Sequence, residues 1–292
     1  MSVRAFGDLL VDSIFGPIFD QNEKGILQTP GFCSRSITSP DGSASILGYG
    51  STLANARWSS AEKSVLSFVR SSSRPIEKIG IDVCTSDRGH ITLNGQTLKL
   101  TEEEDSYDSY EGTLLGGLCH DRTDAVNTLL PAMLSIQLAA LKEFVEVADF
   151  RFYLSFLPLD IVNSISAHLK KMETLSVLIE NSGIKECFIT RFTFSDCIVV
   201  GSSFVSIEDS IKSSMSNILY LLRLYRASGH VRDESEGEVF SYSSSSLIIL
   251  DSCLPDFSLE HCKLNMFRYS LGSVFDSWNL YPYFVFLPLC RL

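Results

Sequence analysis

The sequence predicts an α+β fold, a mixed or antiparallel sheet with hairpins packed against three or more helices. Three observations carry that expectation. Helical and strand periodicities interleave along the 292 residues, and hairpin signals are as frequent as any strand-helix-strand crossover pattern. A composition of 45% hydrophobic and 20% charged residues lies far from that of disordered chains. The chain is long enough to bury a sizeable core and is read as a single domain over 1–292. A boundary, if the chain has one, falls in the acidic loop 101–111.

Val3, Phe6, Leu10, Ile14 and Ile18 recur at helical spacing, which predicts an amphipathic helix over 3–19, interrupted near Gly16-Pro17. Its polar face carries Asp8 and Asp12, which suits a core-docking helix better than one lying on an anionic membrane. Residues 20–57, rich in Gly, Ser, Thr and Pro, read as the longest loop-like stretch. Ser59 followed by Glu62 forms a capping box that opens a short helix through Val69, and Pro75 turns Arg74 away from helical geometry. Ile76 to Cys84 reads as a strand. From His90 to Leu100 the pattern reads as a hairpin, with Asn94-Gly95 as its type I′ turn.

A long helix is expected from about Thr123 to Ala148, buried on most sides because it carries few charges before Lys142. Phe150 to Leu157 reads as a strand. Pro158 then starts a helix with Ile161, Ile165, Leu169, Met172, Leu175 and Ile179 on one face, ended by Asn181-Ser182-Gly183. Cys187–Phe194 and Cys197–Val200 form a hairpin around Ser195-Asp196. A further helix is capped at Ser206 and stops at Gly229. Leu247–Leu250 and Tyr283–Leu287 are the last strand candidates.

The net charge of −11 sits mostly in two stretches, 101–111 with six carboxylates and no base, and 232–238 with four carboxylates and one Arg. Such dense like charge predicts exposed loops. What is left offers no basic stripe for phosphate contacts, so nucleic acid is not expected as a ligand. No apolar run reaches the length of a bilayer span, and the first twenty residues lack the features of a secretory signal. The eight cysteines are scattered, several within apolar runs, and read as reduced thiols of a cytoplasmic or nuclear protein.

Nucleophile, base and carboxylate adjoin only in Gly116-Gly117-Leu118-Cys119-His120-Asp121. Sequence neighbours point apart in strand and helix, so Cys119 and His120 do not make a dyad by adjacency, and Asp121 or Thr123 equally well caps the next helix. Cys119 could still be activated by a helix N-terminus. No metal-ligand spacing, phosphate-binding glycine loop or nucleophile elbow occurs, so neither metal nor cofactor is expected.

Arg35-Ser36-Ile37-Thr38-Ser39-Pro40 and Arg70-Ser71-Ser72-Ser73-Arg74-Pro75 share the pattern Arg-Ser-x-(Ser/Thr)-x-Pro. It resembles the phosphopeptide pattern read by 14-3-3 proteins. The resemblance implies that phosphate on Thr38 or Ser73 would meet an arginine cluster of the reader, while Pro40 or Pro75 turns the chain out of the groove. Arg35 and Arg70 are the basic residues the upstream kinase requires. The function expected is therefore an intracellular protein-interaction or regulatory protein, an accessory protein of eukaryotic or viral type, phospho-regulated through Thr38 and Ser73. The alternative is a cysteine-dependent hydrolase or transferase using Cys119.

Overall fold

The computed structural model describes residues 27–29, 32–38, 45–50, 58–63, 65, 66, 69, 74–86, 90–100, 113–139, 141, 143–155, 159–181, 183–195, 197–228, 247–250, 261–270 and 279–287. Two compact units divide at Arg74/Pro75. The sequence-predicted helix over 3–19 and both acidic stretches, 101–111 and 232–238, lie outside the described residues.

The first unit contains a three-stranded antiparallel sheet of β1 (Leu27–Thr29), β2 (Phe32–Thr38) and β3 (Ser45–Gly50). The stretch 20–57, expected as a loop, therefore holds three strands. Its turn signals mark hairpin ends: Thr29 pairs with Phe32 across Pro30-Gly31, and Thr38 pairs with Ser45. Residues 58–63, 65, 66 and 69 are helical and bury Ala61, Val65, Leu66 and Val69; Ser59 is itself helical, so it lies within the helix and does not cap it as the capping box predicts.

The second unit is one ten-stranded sheet. Its strands are β4 (Pro75–Thr85), β5 (His90–Lys99), β6 (Thr113–Cys119), β7 (Val145–Glu146), β8 (Lys171–Glu180), β9 (Ile184–Thr193), β10 (Cys197–Ser203), β11 (Leu247–Leu250), β12 (His261–Tyr269) and β13 (Tyr281–Leu287). They lie in the order β11-β10-β9-β8-β5-β4-β12-β13-β6, with β7 beside β8. Among the described strands, only β5 and β8 pair in parallel. The helices are α1 (Arg122–Gln137), α2 (Arg151–Leu154), α3 (Leu159–Ser166) and α4 (Ile207–Ser228).

α1 touches β6 and β13 at one end of this order and β9, β10 and β11 at the other. A flat sheet of nine strands would be about 38 Å across at about 4.8 Å per strand, whereas a helix is about 10–12 Å wide. The sheet therefore curls around α1. This explains why α1 is enclosed on every side from Leu129 onward, Ser135 and Gln137 included, while Thr123 in its first turn stays exposed. The fold expectation is corrected accordingly: the unit is a curled, sheet-dominated half-barrel around one helix, not a sheet packed against three or more. α4 covers the opposite face over β9 and β10, while α2 and α3 are short pieces of the connection between β7 and β8.

Two local misreadings underlie that correction. The helical period over 158–181 holds for α3 only, and from Lys171 the chain is β8. There Glu173 is buried with Arg191 opposite it on β9, and the two form an ion pair at 2.9 Å. Arg191 also donates to the carbonyls of Ala139 and Leu141 and stacks 4.0 Å from the Phe144 ring centroid. These contacts fasten the chain leaving α1, which is why that helix stops at Gln137 rather than Ala148.

The second misreading concerns Asn94-Gly95, which is not a turn. β5 pairs with β4 without interruption, Asp82 opposite Asn94 and Ile81 opposite Gly95. The Arg122 guanidinium fills the space where a Cβ at Gly95 would project, with Nη1 donating to Thr97 Oγ1 at 2.9 Å. Phe150–Leu157, expected as a strand, instead contains the single helical turn of α2. The β9–β10 hairpin and the Ser206 cap form as predicted: Ser206 Oγ accepts from Asp209 N at 3.1 Å and donates to Asp209 Oδ2 at 2.9 Å.

Candidate functional site

Cys119 ends β6 and is 0% exposed within the apolar core beneath α1. His120 is exposed at the corner that follows, its Nδ1 2.8 Å from the Asn279 carbonyl oxygen. Asp121 caps α1, its Oδ1 accepting from Asp124 N at 2.8 Å, and Asp124 Oδ2 accepts in turn from His120 N at 2.9 Å. The thiol and the imidazole thus occupy different surroundings, one in hydrocarbon and one at the surface. The carboxylates serve the strand-to-helix corner.

Of the phosphopeptide-like pattern, Arg35 and Thr38 lie in β2, opposite Gly48 and Ser45 of β3. Pro75 opens β4 opposite Tyr269. Pro40, Arg70 and Ser73 lie outside the described residues. Among the described residues, no group of three or more His, Cys, Asp or Glu is placed to hold a metal ion, and no helix is long and apolar enough to cross a membrane.

Two surface features that sequence reasoning missed are assembled by strand register. The first is an apolar rim. Ile184 starts β9 and is 65% exposed; Val205 and Ile207, after β10, are 79% and 40% exposed. Because Phe188 pairs with Ser203, these three residues come to one end of the sheet. Glu180, Glu186 and Glu208 are exposed at the same end, and Ser176 holds Glu186 by a hydrogen bond. The basic residues nearby are engaged: Lys185 donates to Asn127 Oδ1 at 2.8 Å, and Lys212 pairs with Asp209 at 3.3 Å.

The second feature is a row across the sheet face opposite α1. His261 of β12 pairs with Cys84 of β4, Cys84 with Thr92 of β5, and Thr92 with Glu180 of β8. Paired residues share a face, so the four side chains line up. The four described free cysteines differ in their surroundings. Burial pushes the Cys187 thiol up to about 12, and burial together with the Asp82 carboxylate pushes Cys262 up to about 11. Cys119 is sealed, whereas Cys84 is partly exposed.

A polar patch also lies on the concave face, where Tyr283, Arg268 and Glu77 are successive cross-strand partners. Arg268 pairs with Glu77 at 3.4 Å and stacks on Tyr281, its guanidinium carbon 4.1 Å from the ring centroid. Burial, outweighing Arg268, pushes the Tyr283 hydroxyl up to about 12, so it stays protonated at neutral pH.

No family model matches the sequence, and no curated protein matches it. Among solved structures, YcaO from Methanopyrus kandleri, bound with AMPPCP and Mg2+, is similar over 98% of this chain and 90% of that chain, at 12% identity and a TM-score of 0.43.

Proposed function

We propose that the chain is a protein-interaction or regulatory protein of the cytoplasm or nucleus. It binds a partner segment in which apolar side chains are flanked by Lys or Arg. The observation that carries this reading is the rim at Ile184, Val205 and Ile207, apolar side chains left open to water among Glu180, Glu186 and Glu208. Exposed apolar side chains grouped within a polar border are a mark of interaction surfaces. The carboxylates select basic partners and speed the encounter. The sealed setting of Cys119 favours a packing role for that thiol over catalysis.

Phosphorylation at Thr38 and Ser73 belongs to the same proposal as its means of regulation. A reader that takes up an extended peptide competes with β3 for the backbone of β2, so phosphate would act by releasing that strand.

The test is a peptide array probed with the purified chain, pairing apolar peptides flanked by Lys or Arg with the same peptides flanked by Glu. Binding to the basic set that is lost with Ile184→Asp/Val205→Asp supports the reading. Equal binding by that variant, or preference for the acidic set, overturns it.

A further inference from the structure

We propose that Cys84 is a site of reversible thiol modification, exchanging with a low-molecular-weight disulfide, with His261 as the acceptor of its proton. The inference rests on the row described above and is independent of the apolar rim.

Cys84 and His261 are 177 positions apart in sequence, and the β4–β12 register makes them direct cross-strand partners. Directly opposed residues have Cβ atoms about 4.5–5.5 Å apart. Asp82 and Lys263, opposite each other one step along the same ladder, share the face, as do Thr92 and Asn94 on β5. His90 lies diagonal to Cys84, its backbone N–H donating to Ser86 Oγ at 3.3 Å. In the resting state the Cys84 thiol leans toward β5 and donates to the Thr92 carbonyl across 3.7 Å. Rotation about χ1 turns the sulfur toward the exposed imidazole of His261, which takes its proton. The face is open, since His261, Lys263 and Asn94 are all exposed.

The step balances as a thiol–disulfide exchange. The Cys84 sulfur, its proton passed to His261, attacks one sulfur of the disulfide. A new S–S bond forms to Cys84, the original S–S bond breaks, and the released thiolate takes the proton back from His261. One protein mixed disulfide and one free thiol result, with no change in total oxidation state. The reverse reaction with excess thiol restores Cys84.

The experiment incubates the full chain with glutathione disulfide, quenches at intervals, and follows the Cys84, Cys119, Cys187 and Cys262 peptides by mass spectrometry. Cys84 is expected to form the adduct at least about tenfold faster than the other three, consistent with the gain a positioned base supplies, and to lose it in dithiothreitol. His261→Asn is expected to slow the Cys84 adduct at least about fivefold, with free imidazole restoring part of the rate and His90→Asn changing it less than about twofold. Imidazole rescue separates a proton-accepting role from a structural one. Cys84 reacting no faster than Cys262, or an unchanged rate in His261→Asn, overturns the proposal.

Discussion

At Gly201, α4 is seated closely on the sheet. A Cβ added there would collide with the backbone nitrogen of Ser214 and lie 2.8 Å from the Ser210 carbonyl oxygen, so the obstruction is the helix itself and not a flexible side chain. Gly201→Ala must lift α4 away from β10. That movement strains a buried polar seam: Thr190 Oγ1 and Ser210 Oγ at 2.6 Å, Ser214 Oγ donating to the Thr190 carbonyl at 3.0 Å, and Asn217 Nδ2 donating to the Val200 carbonyl at 2.6 Å. Overpacking costs about 1–3 kcal/mol, and each buried hydrogen bond lost adds about 1 kcal/mol, so about 3 kcal/mol is expected. At about 2–4 °C per kcal/mol for a unit of this size, the melting temperature should fall by about 6–12 °C. Gly80→Ala is the control, since its added Cβ would meet only the Gln96 carbonyl at an ordinary 3.6 Å. Calorimetry on both variants decides the matter. A Gly201→Ala protein that melts within a degree of wild type would refute the close seating of α4.

Other perturbations follow from the same contacts. Glu173→Gln leaves Arg191 buried without its anion and should cost about 3–5 kcal/mol in denaturant unfolding, whereas replacing both members of the pair by apolar residues should cost less. Burial lowers the Lys63 amine to about 8, against an unfolded value near 10.5, so the unfolded chain binds the extra proton between those values and stability rises with pH across that window. Lys63→Met should remove that rise, an effect of about 3 kcal/mol by linkage, read from unfolding curves at pH 7 and pH 10. Gly95→Ala displaces the Arg122 guanidinium from Thr97 and should cost only about 1 kcal/mol, because the obstruction is the end of a flexible side chain. Phosphorylated wild type should be retained by a 14-3-3 column, and Thr38→Ala or Ser73→Ala should each lose more than half of that retention through lost avidity, with equal retention counting against paired sites.

The parts legible in the sequence were those set by local chemistry. Asp121 and Ser206 each lie next to the helix they cap, and the pairing of β9 with β10 spans only Phe194 to Asp196. The parts that were not legible depend on partners remote in the chain. Met172, Leu175 and Ile179 suit a helix by spacing, and only Arg191 opposite Glu173 makes that stretch a strand with a buried carboxylate. Asn94-Gly95 carries a strong turn signal that an unbroken ladder with β4 overrides, while Arg122 occupies the space Gly95 leaves. Cys119-His120 drew attention because the residues are adjacent, yet adjacency sends one side chain inward and the other out. Cys84 and His261 give no local signal, because only the β4–β12 register makes them neighbours.

The central claim, that the rim around Ile184 and Val205 binds a basic, apolar partner, is tested most directly by quantitative co-purification from cells of wild type and Ile184→Asp/Val205→Asp at matched expression. Both substitutions fall on exposed positions, so unfolding should stay within about 0.5 kcal/mol of wild type for each. Loss of two central anchors at about 2 kcal/mol each should reduce partner recovery by well over tenfold. The account predicts a partner whose contacting segment is rich in Lys or Arg and whose recovery collapses in the variant while the fold is kept. Undiminished recovery of every wild-type partner by a stably folded variant would contradict it.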